Sequence, residues 1–296
     1  MLESKFLRPS VFIIGAPKCG TTSLASYLGD HPEIVAPKNK EPNFFSTDLP
    51  LQEVEDLDSY LELFEKESAK ERISFEASTW YLYSDKAVDN ILDFNPDSKL
   101  IVLIRNPVEM VQSLHSQQLY NLTETITDFE EAWYEQLTEA RRDKWLLQYK
   151  TCCKTGTQLE RLVSRVYEPH LKLIVFDDLK ENPERVFFDV QKFIGVGEYR
   201  LSDYSAKNTN KEIRLRGLQE FVKNTPKPIV RILNAVKRLL RIKHIGLFDR
   251  VSELNKVEKT RKNISANFRS VLVEEFSGEI EKIERILGRD LTHWKR

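Results

Sequence analysis

One stretch constrains this chain more than any other: Val11-Phe12-Ile13-Ile14-Gly15-Ala16-Pro17-Lys18-Cys19-Gly20-Thr21-Thr22-Ser23-Leu24. It opens on an apolar run closed by glycine, the pattern of a strand buried on both faces of a parallel sheet. A turn rich in Gly and Pro follows. Thr21, Thr22 and Ser23 then start a segment, 21–29, whose apolar positions recur at helical spacing. Strand, tight loop and helix N-terminus together make an anion site, because backbone N–H groups point into the loop and the helix dipole favours negative charge there. Lys18 adds a full positive charge, and three hydroxyls add donors. The nucleotide-hydrolysing loop G-x-x-x-x-G-K-[ST] is not this one. Gly15 and Gly20 have its spacing, but Thr21 stands where its lysine belongs, and the lysine lies inside the loop at Lys18.

At 296 residues the chain fits one large α/β domain, with a core over about 8–200 and a helical, partly basic C-terminal extension over about 201–296. A net charge of −1 gives no bulk basic character for nucleic acid. The first residues lack an apolar signal region, and no apolar run approaches membrane-span length. Three cysteines, two of them the neighbours Cys152 and Cys153, make no disulfide framework. A cytoplasmic location is the expectation. Oligomeric state is not legible.

Residues 38–46 form an unusual loop, Lys-Asn-Lys-Glu-Pro-Asn-Phe-Phe-Ser. Pro42 biases Glu41 towards an extended backbone. Residue type alone leaves Glu41 either a general base or a surface carboxylate paired with Lys38 or Lys40. The acid-rich segment 52–71 reads as a solvated helix, and 73–82 as a strand entering an aromatic loop. Residues 99–104 are the most apolar strand. It ends at Arg105-Asn106-Pro107, and Pro107 opens a helix at a favoured position. Arg105 at a strand's C-terminal end can fork onto a phosphate or make a structural ion pair. Ser113 joins it if the helix turns it that way, and His115 is a reserve base. Further helices are expected over 128–147, 157–167, 183–194 and 268–287, with a strand over 171–176. The acidic pair Asp177-Asp178 after that strand is read as capping and loop bonding rather than as a magnesium site.

Pro17-Lys18-Cys19-Gly20-Thr21-Thr22 resembles the phosphosulfate-binding loop of sulfotransferases that use PAPS (3'-phosphoadenosine 5'-phosphosulfate). Lys40-Glu41-Pro42-Asn43-Phe44-Phe45 resembles the Lys-Glu-Pro-x-Phe-Phe stretch of their carbohydrate branch, notably enzymes acting on heparan-type glycans. Arg105 with Ser113 resembles the site for the 3'-phosphate. The resemblance implies a P-loop-like αβα sandwich with a central parallel sheet. It implies PAPS as donor, no required metal, Glu41 as base on the acceptor hydroxyl or amine, and Lys18 at the sulfuryl group and bridging oxygen. It also implies a 5'-phosphate cradle of Cys19, Gly20, Thr21, Thr22 and Ser23. Cys19 itself is read as a small residue filling the turn. One departure stands out. The branch often has Glu-Lys-Ser-x-x-Tyr where this chain has Glu76-Ala77-Ser78-Thr79-Trp80-Tyr81, so the lysine is absent.

A basic loop in that family covers the 3'-phosphate, and Lys207, Lys211, Arg214 and Arg216 are candidates for it here. Residues 223–243 hold seven basic residues and no acid, interleaved with apolar ones. They read as a basic amphipathic helix suited to docking on the core, to an anionic acceptor or to a peripheral membrane contact. The acceptor is expected to be a glycan, a lipid-linked molecule or a small metabolite. Two competing functions are a magnesium–ATP-dependent kinase and a non-catalytic nucleotide-binding module.

Overall fold

A computed structural model describes residues 5–66, 70, 72–205, 211–213, 256–258 and 264–296. Lys207, Arg214, Arg216 and the 223–243 segment lie outside the described residues. The chain forms two compact units, one of residues 1–114, 148–208 and 265–296, the other of residues 115–147 and 209–264.

The first unit holds five parallel strands, β1 (Val11–Gly15), β2 (Ile34–Val35), β3 (Ile73–Ala77), β4 (Lys99–Ile104) and β5 (Leu171–Val175), in the order β2-β3-β1-β4-β5. β1 lies at the centre, and every one of its residues is buried. That burial is why it reads as an unbroken apolar run rather than an alternation. β1 pairs with β3 on one side and β4 on the other, so the chain segments leaving all three strands emerge at the same sheet edge. Open parallel sheets bind ligands beyond that edge.

Helices follow the strands: α1 (Thr21–Gly29), α2 (Leu57–Leu61), α3 (Ala87–Phe94), α4 (Pro107–Tyr120), α5 (Phe129–Glu135), α6 (Tyr149–Cys152), α7 (Thr155–Val163), α8 (Phe176–Glu181), α9 (Pro183–Ile194) and α10 (Ala266–Leu287). Asn106 caps α4 by accepting from Val108 N at 3.0 Å, beside the expected Pro107 start. Asn182 and the left-handed Gly195 bracket α9. The C-terminus returns to the core. Trp294 is buried, its indole donates to Asp177 Oδ2 at 2.8 Å, and its carbonyl accepts from Asn106 Nδ2 at 3.0 Å. Asp178 pairs with Arg289 at 2.5 Å. The acidic pair is therefore spent on packing the chain end, and it sits in α8 rather than in a loop.

Two helices fall short of the sequence reading. The helix expected over 52–71 is the short α2, capped by Asp56 and continued by one tight turn, Glu62–Phe64. The helix expected over 128–147 stops at Glu135, where the Thr138 hydroxyl donates to the Glu135 carbonyl at 2.8 Å. A side chain that offers the backbone an alternative partner competes with the helix ladder. Arg141 then pairs two-pronged with the buried Glu124 at 2.6 and 2.8 Å, and Leu137 is left exposed. In this second unit a short antiparallel pair, β6 (Lys211–Ile213) and β7 (Lys256–Glu258), is also present.

α7 and α10 approach closely at Gly156, where a Cβ would lie 2.4 Å from the Glu279 carbonyl oxygen. Glu279 in turn accepts from Thr157 N at 2.7 Å and Thr157 Oγ1 at 2.8 Å. Gly156→Ala is expected to force the helices apart and lower stability by about 1–3 kcal/mol, the usual cost of overpacking. Urea unfolding of the two proteins side by side checks this, and an unchanged midpoint refutes it.

Candidate active site

β1 delivers the chain into the anion loop through two glycines that no other residue replaces easily. Gly15 has φ +152°, and a Cβ there would stand 2.9 Å from Leu82 Cβ and 3.0 Å from the Thr79 carbonyl. Gly20 has φ +90° and caps α1, and a Cβ there would meet Phe176 and Leu179 at 3.0 Å. Between them Lys18 adopts φ +66°, a left-handed conformation uncommon for a side chain of its kind. The Cys19 N–H turns back to the Ala16 carbonyl at 3.3 Å. The next backbone bonds of the turn begin at Ser23 N. Among the described residues, the N–H groups of Gly20, Thr21 and Thr22 thus meet no backbone acceptor and face outward from the helix start. The Cys19 thiol is buried, and burial pushes its pKa up to about 12 against the pull of Arg105 and Lys18. It shapes the turn and is no reactive thiol.

Arg105, at the end of β4, reaches the same loop. Its Nη1 donates to the Lys18 carbonyl at 3.3 Å, and its guanidinium lies over the Phe176 ring at 4.7 Å. The remaining prongs, Nε and Nη2, go to Glu109 Oε2 at 3.1 and 2.7 Å. The fork is formed and aimed by α4, and an incoming phosphate has to share it with Glu109 or displace that carboxylate. Ser113 lies two turns into α4 and is buried. In the second unit His115 is buried, and its Nε2 donates to the Ile126 carbonyl at 2.9 Å. Burial holds its pKa below the ordinary imidazole value. It serves as a structural donor there.

Glu41 does not take the extended backbone that Pro42 favours. It has φ +53°, and Asn43 has φ +51°. The local preference is overridden by bonds to the end of β3. Asn43 N donates to Ser78 Oγ at 3.0 Å, Phe45 N donates to Tyr81 Oη at 3.2 Å, and Asn43 Nδ2 donates to the Glu41 carbonyl at 2.6 Å. Both hydroxyls in turn donate hydrogen bonds to one carboxylate. Ser78 Oγ donates to Glu76 Oε1 at 2.6 Å, and Tyr81 Oη donates to Glu76 Oε2 at 3.1 Å. Tyr60 Oη adds a third bond at 2.6 Å, and its ring stacks on Phe44 at 4.4 Å. Burial raises the Glu76 pKa to about 7, opposed by the three hydroxyl donors and reinforced by the negative charge of Glu41. This anchor was not singled out in the sequence. A lone charged residue in an otherwise uncharged strand, Ile73–Ala77, is the signal that marks it, since a carboxylate fully buried in a sheet needs several donors.

The Glu41 carboxylate accepts from Thr79 Oγ1 at 3.4 Å and lies 3.5 Å from Lys40 Nζ. Lys40 Nζ also donates to Thr22 Oγ1 at 3.1 Å, at the first turn of α1. The two motifs, whose touching residues Thr22 and Lys40 are 18 positions apart in the chain, therefore meet in space beyond the ends of β1 and β3. Lys18, Thr22, Glu41 and Arg105 all belong to this one sheet edge. A separate cleft of about 670 Å³ runs along β5 and α9, but its charges are a balanced mixture, Lys172, Arg185 and Arg289 against Asp178, Glu181 and Asp189.

A parallel sheet whose central strand opens into a glycine loop and a helix N-terminus, with a carboxylate set beside it, defines an α/β protein with a site suited to an anionic ligand. Residues 8–227 match the sulfotransferase domain, and the chain belongs to that family. It is 27% identical over 226 residues to the mouse bifunctional heparan sulfate N-deacetylase/N-sulfotransferase 3, covering 72% of this chain and 25% of that one. It is 28% identical over 246 residues to human carbohydrate sulfotransferase 15, covering 67% and 41%. The chain thus spans a quarter to two fifths of the length of these relatives. A solved sulfotransferase from Alicyclobacillus acidocaldarius superposes with a TM-score of 0.73 at 25% identity, over 98% of this chain and 99% of the other. The expected α/β fold with a central parallel sheet is borne out. Among the described residues no helix is long and apolar enough to cross a membrane.

Proposed function

We propose that this chain moves a sulfuryl group from PAPS to a hydroxyl or amine of a carbohydrate-type acceptor. The reading rests on one juxtaposition above all: the Glu41 carboxylate stands beside the anion loop, with Lys40 touching both Glu41 and Thr22. The acceptor class follows the heparan sulfate and carbohydrate relatives.

The residues suit a bisphosphorylated nucleotide. Gly20, packed against Phe176 and Leu179 at φ +90°, sets the tight turn, and the N–H groups of Gly20, Thr21 and Thr22 supply donors for a 5'-phosphate. Cys19 shapes that turn, and the hydroxyls of Thr21, Thr22 and Ser23 line it. Arg105, helped by Ser113, takes the 3'-phosphate. PAPS supplies a sulfuryl group already bonded to a phosphate that leaves readily. Glu41 takes the proton from the attacking oxygen or nitrogen. As the new bond to sulfur forms, the old sulfur–oxygen bond breaks with its electron pair passing to the phosphate, and Lys18 stabilises that charge. Positioning and charge do the work, as in phosphoryl transfer.

Calorimetric titration with adenosine 3',5'-bisphosphate and with ATP, each with and without magnesium, tests this. The bisphosphate is expected to bind without metal, and Arg105→Ala to weaken it about 10- to 100-fold, the worth of a charge-assisted fork. A preference for magnesium–ATP overturns the reading in favour of a kinase. Bisphosphate binding without any transfer across a panel of acceptors favours a nucleotide-binding module.

A further inference from the structure

We infer that Lys40 is a second cation of the transfer site and binds the sulfuryl group itself. The inference rests on the sulfotransferase reading above and adds a residue to it. Lys40 Nζ lies 3.1 Å from Thr22 Oγ1 and 3.5 Å from Glu41 Oε1. Thr22 is the second residue of α1, where a leaving phosphate is held. Glu41 is where the acceptor's proton goes. In-line displacement puts sulfur between the leaving and the attacking atoms, so the gap from Thr22 to Glu41 is the gap the sulfuryl group crosses. Lys40 spans that gap.

The chemistry fits the position. The three oxygens of a sulfuryl group in transfer carry spread negative charge, and an ammonium offers three rotatable donors on a flexible stem. Binding of the donor lets the ammonium exchange the Thr22 hydroxyl, a neutral acceptor, for a charged sulfuryl oxygen while it stays beside Glu41. The Lys40 side chain is 56% exposed, and its pairing with Glu41 contributes little to stability in that setting. Lysine is not required there by the fold, and replacing it leaves the core untouched.

The test compares two ligands that differ only by the sulfuryl group. PAPS and adenosine 3',5'-bisphosphate are titrated calorimetrically into the full chain, wild type, Lys40→Met and Lys40→Arg. Near-ultraviolet circular dichroism checks that each variant is folded. In Lys40→Met the affinity for PAPS is expected to fall about tenfold or more while that for the bisphosphate stays within about twofold, and Lys40→Arg recovers most of the loss. Equal losses for both ligands overturn the inference and assign Lys40 to the phosphate through Thr22. Unchanged affinities for both overturn it and leave Lys40 an exposed ion-pair partner of Glu41. If the wild type binds neither ligand, the sulfotransferase reading fails first and takes this role with it.

Discussion

Glu41→Gln is expected to lower sulfuryl transfer about 100- to 10,000-fold, the range for loss of a general base, while the affinity for adenosine 3',5'-bisphosphate stays within about twofold. The amide keeps the shape of the side chain and can still accept from Thr79 Oγ1, so the loop geometry persists. What it lacks is the capacity to take a proton. Transfer of labelled sulfate from PAPS to de-N-sulfated heparin, chondroitin and small amino alcohols measures the rate, and calorimetry measures the affinity. A variant that transfers at the wild-type rate removes Glu41 from the chemistry. A variant that loses bisphosphate affinity in step with rate makes Glu41 a structural support of the donor site.

The second large effect belongs to Glu76. Its native pKa is about 7, above the ordinary value of 4.5, because burial penalises its charge more than its hydroxyl donors favour it. Between those two values the native carboxyl holds its proton while the unfolded chain gives it up. Stability therefore falls as pH rises from about 4.5 to about 7 and levels off above. The shift corresponds to about 3 kcal/mol of stability lost across that window. Glu76→Gln has no proton to hold and is expected to lack this fall. The difference in unfolding free energy between variant and wild type should then change by about 3 kcal/mol between pH 4.5 and 7.5. Urea titrations of both proteins across that range decide it, and parallel pH profiles would falsify the assignment. Glu76→Ala goes further, since it strands the hydroxyl protons of Tyr60, Ser78 and Tyr81 inside the core. The backbone of residues 43–45, held through Ser78 and Tyr81, loosens with it.

The legible parts of this protein are those written in adjacent residues. β1, the glycine loop and α1 follow from an apolar run, two glycines and a row of hydroxyls, and they form as read. β4 and the Pro107 start of α4 are equally local. Segment 128–147 misled because its apolar spacing was helical, while Thr138 turned the chain and Arg141 was drawn to a buried partner, Glu124. Spacing reports which residues are apolar; it does not report a distant carboxylate that bends the chain towards itself.

The sequence by itself determined that a glycine loop carrying a lysine and three hydroxyls joins a strand to a helix at Gly15–Ser23, that an arginine ends the neighbouring strand, and that a glutamate follows a lysine ahead of two phenylalanines. Only the tertiary structure decided how that glutamate is presented. Its left-handed backbone runs against the preference set by Pro42, and it is held by bonds from the 41–45 loop to Ser78 and Tyr81, which rest on Glu76. Parallel pairing of β1 with β3 brings these distant segments to one sheet edge. The reason is physical: a turn's preference is worth a kilocalorie or so and is set by its neighbours, whereas a buried carboxylate must find its donors wherever the fold has placed them.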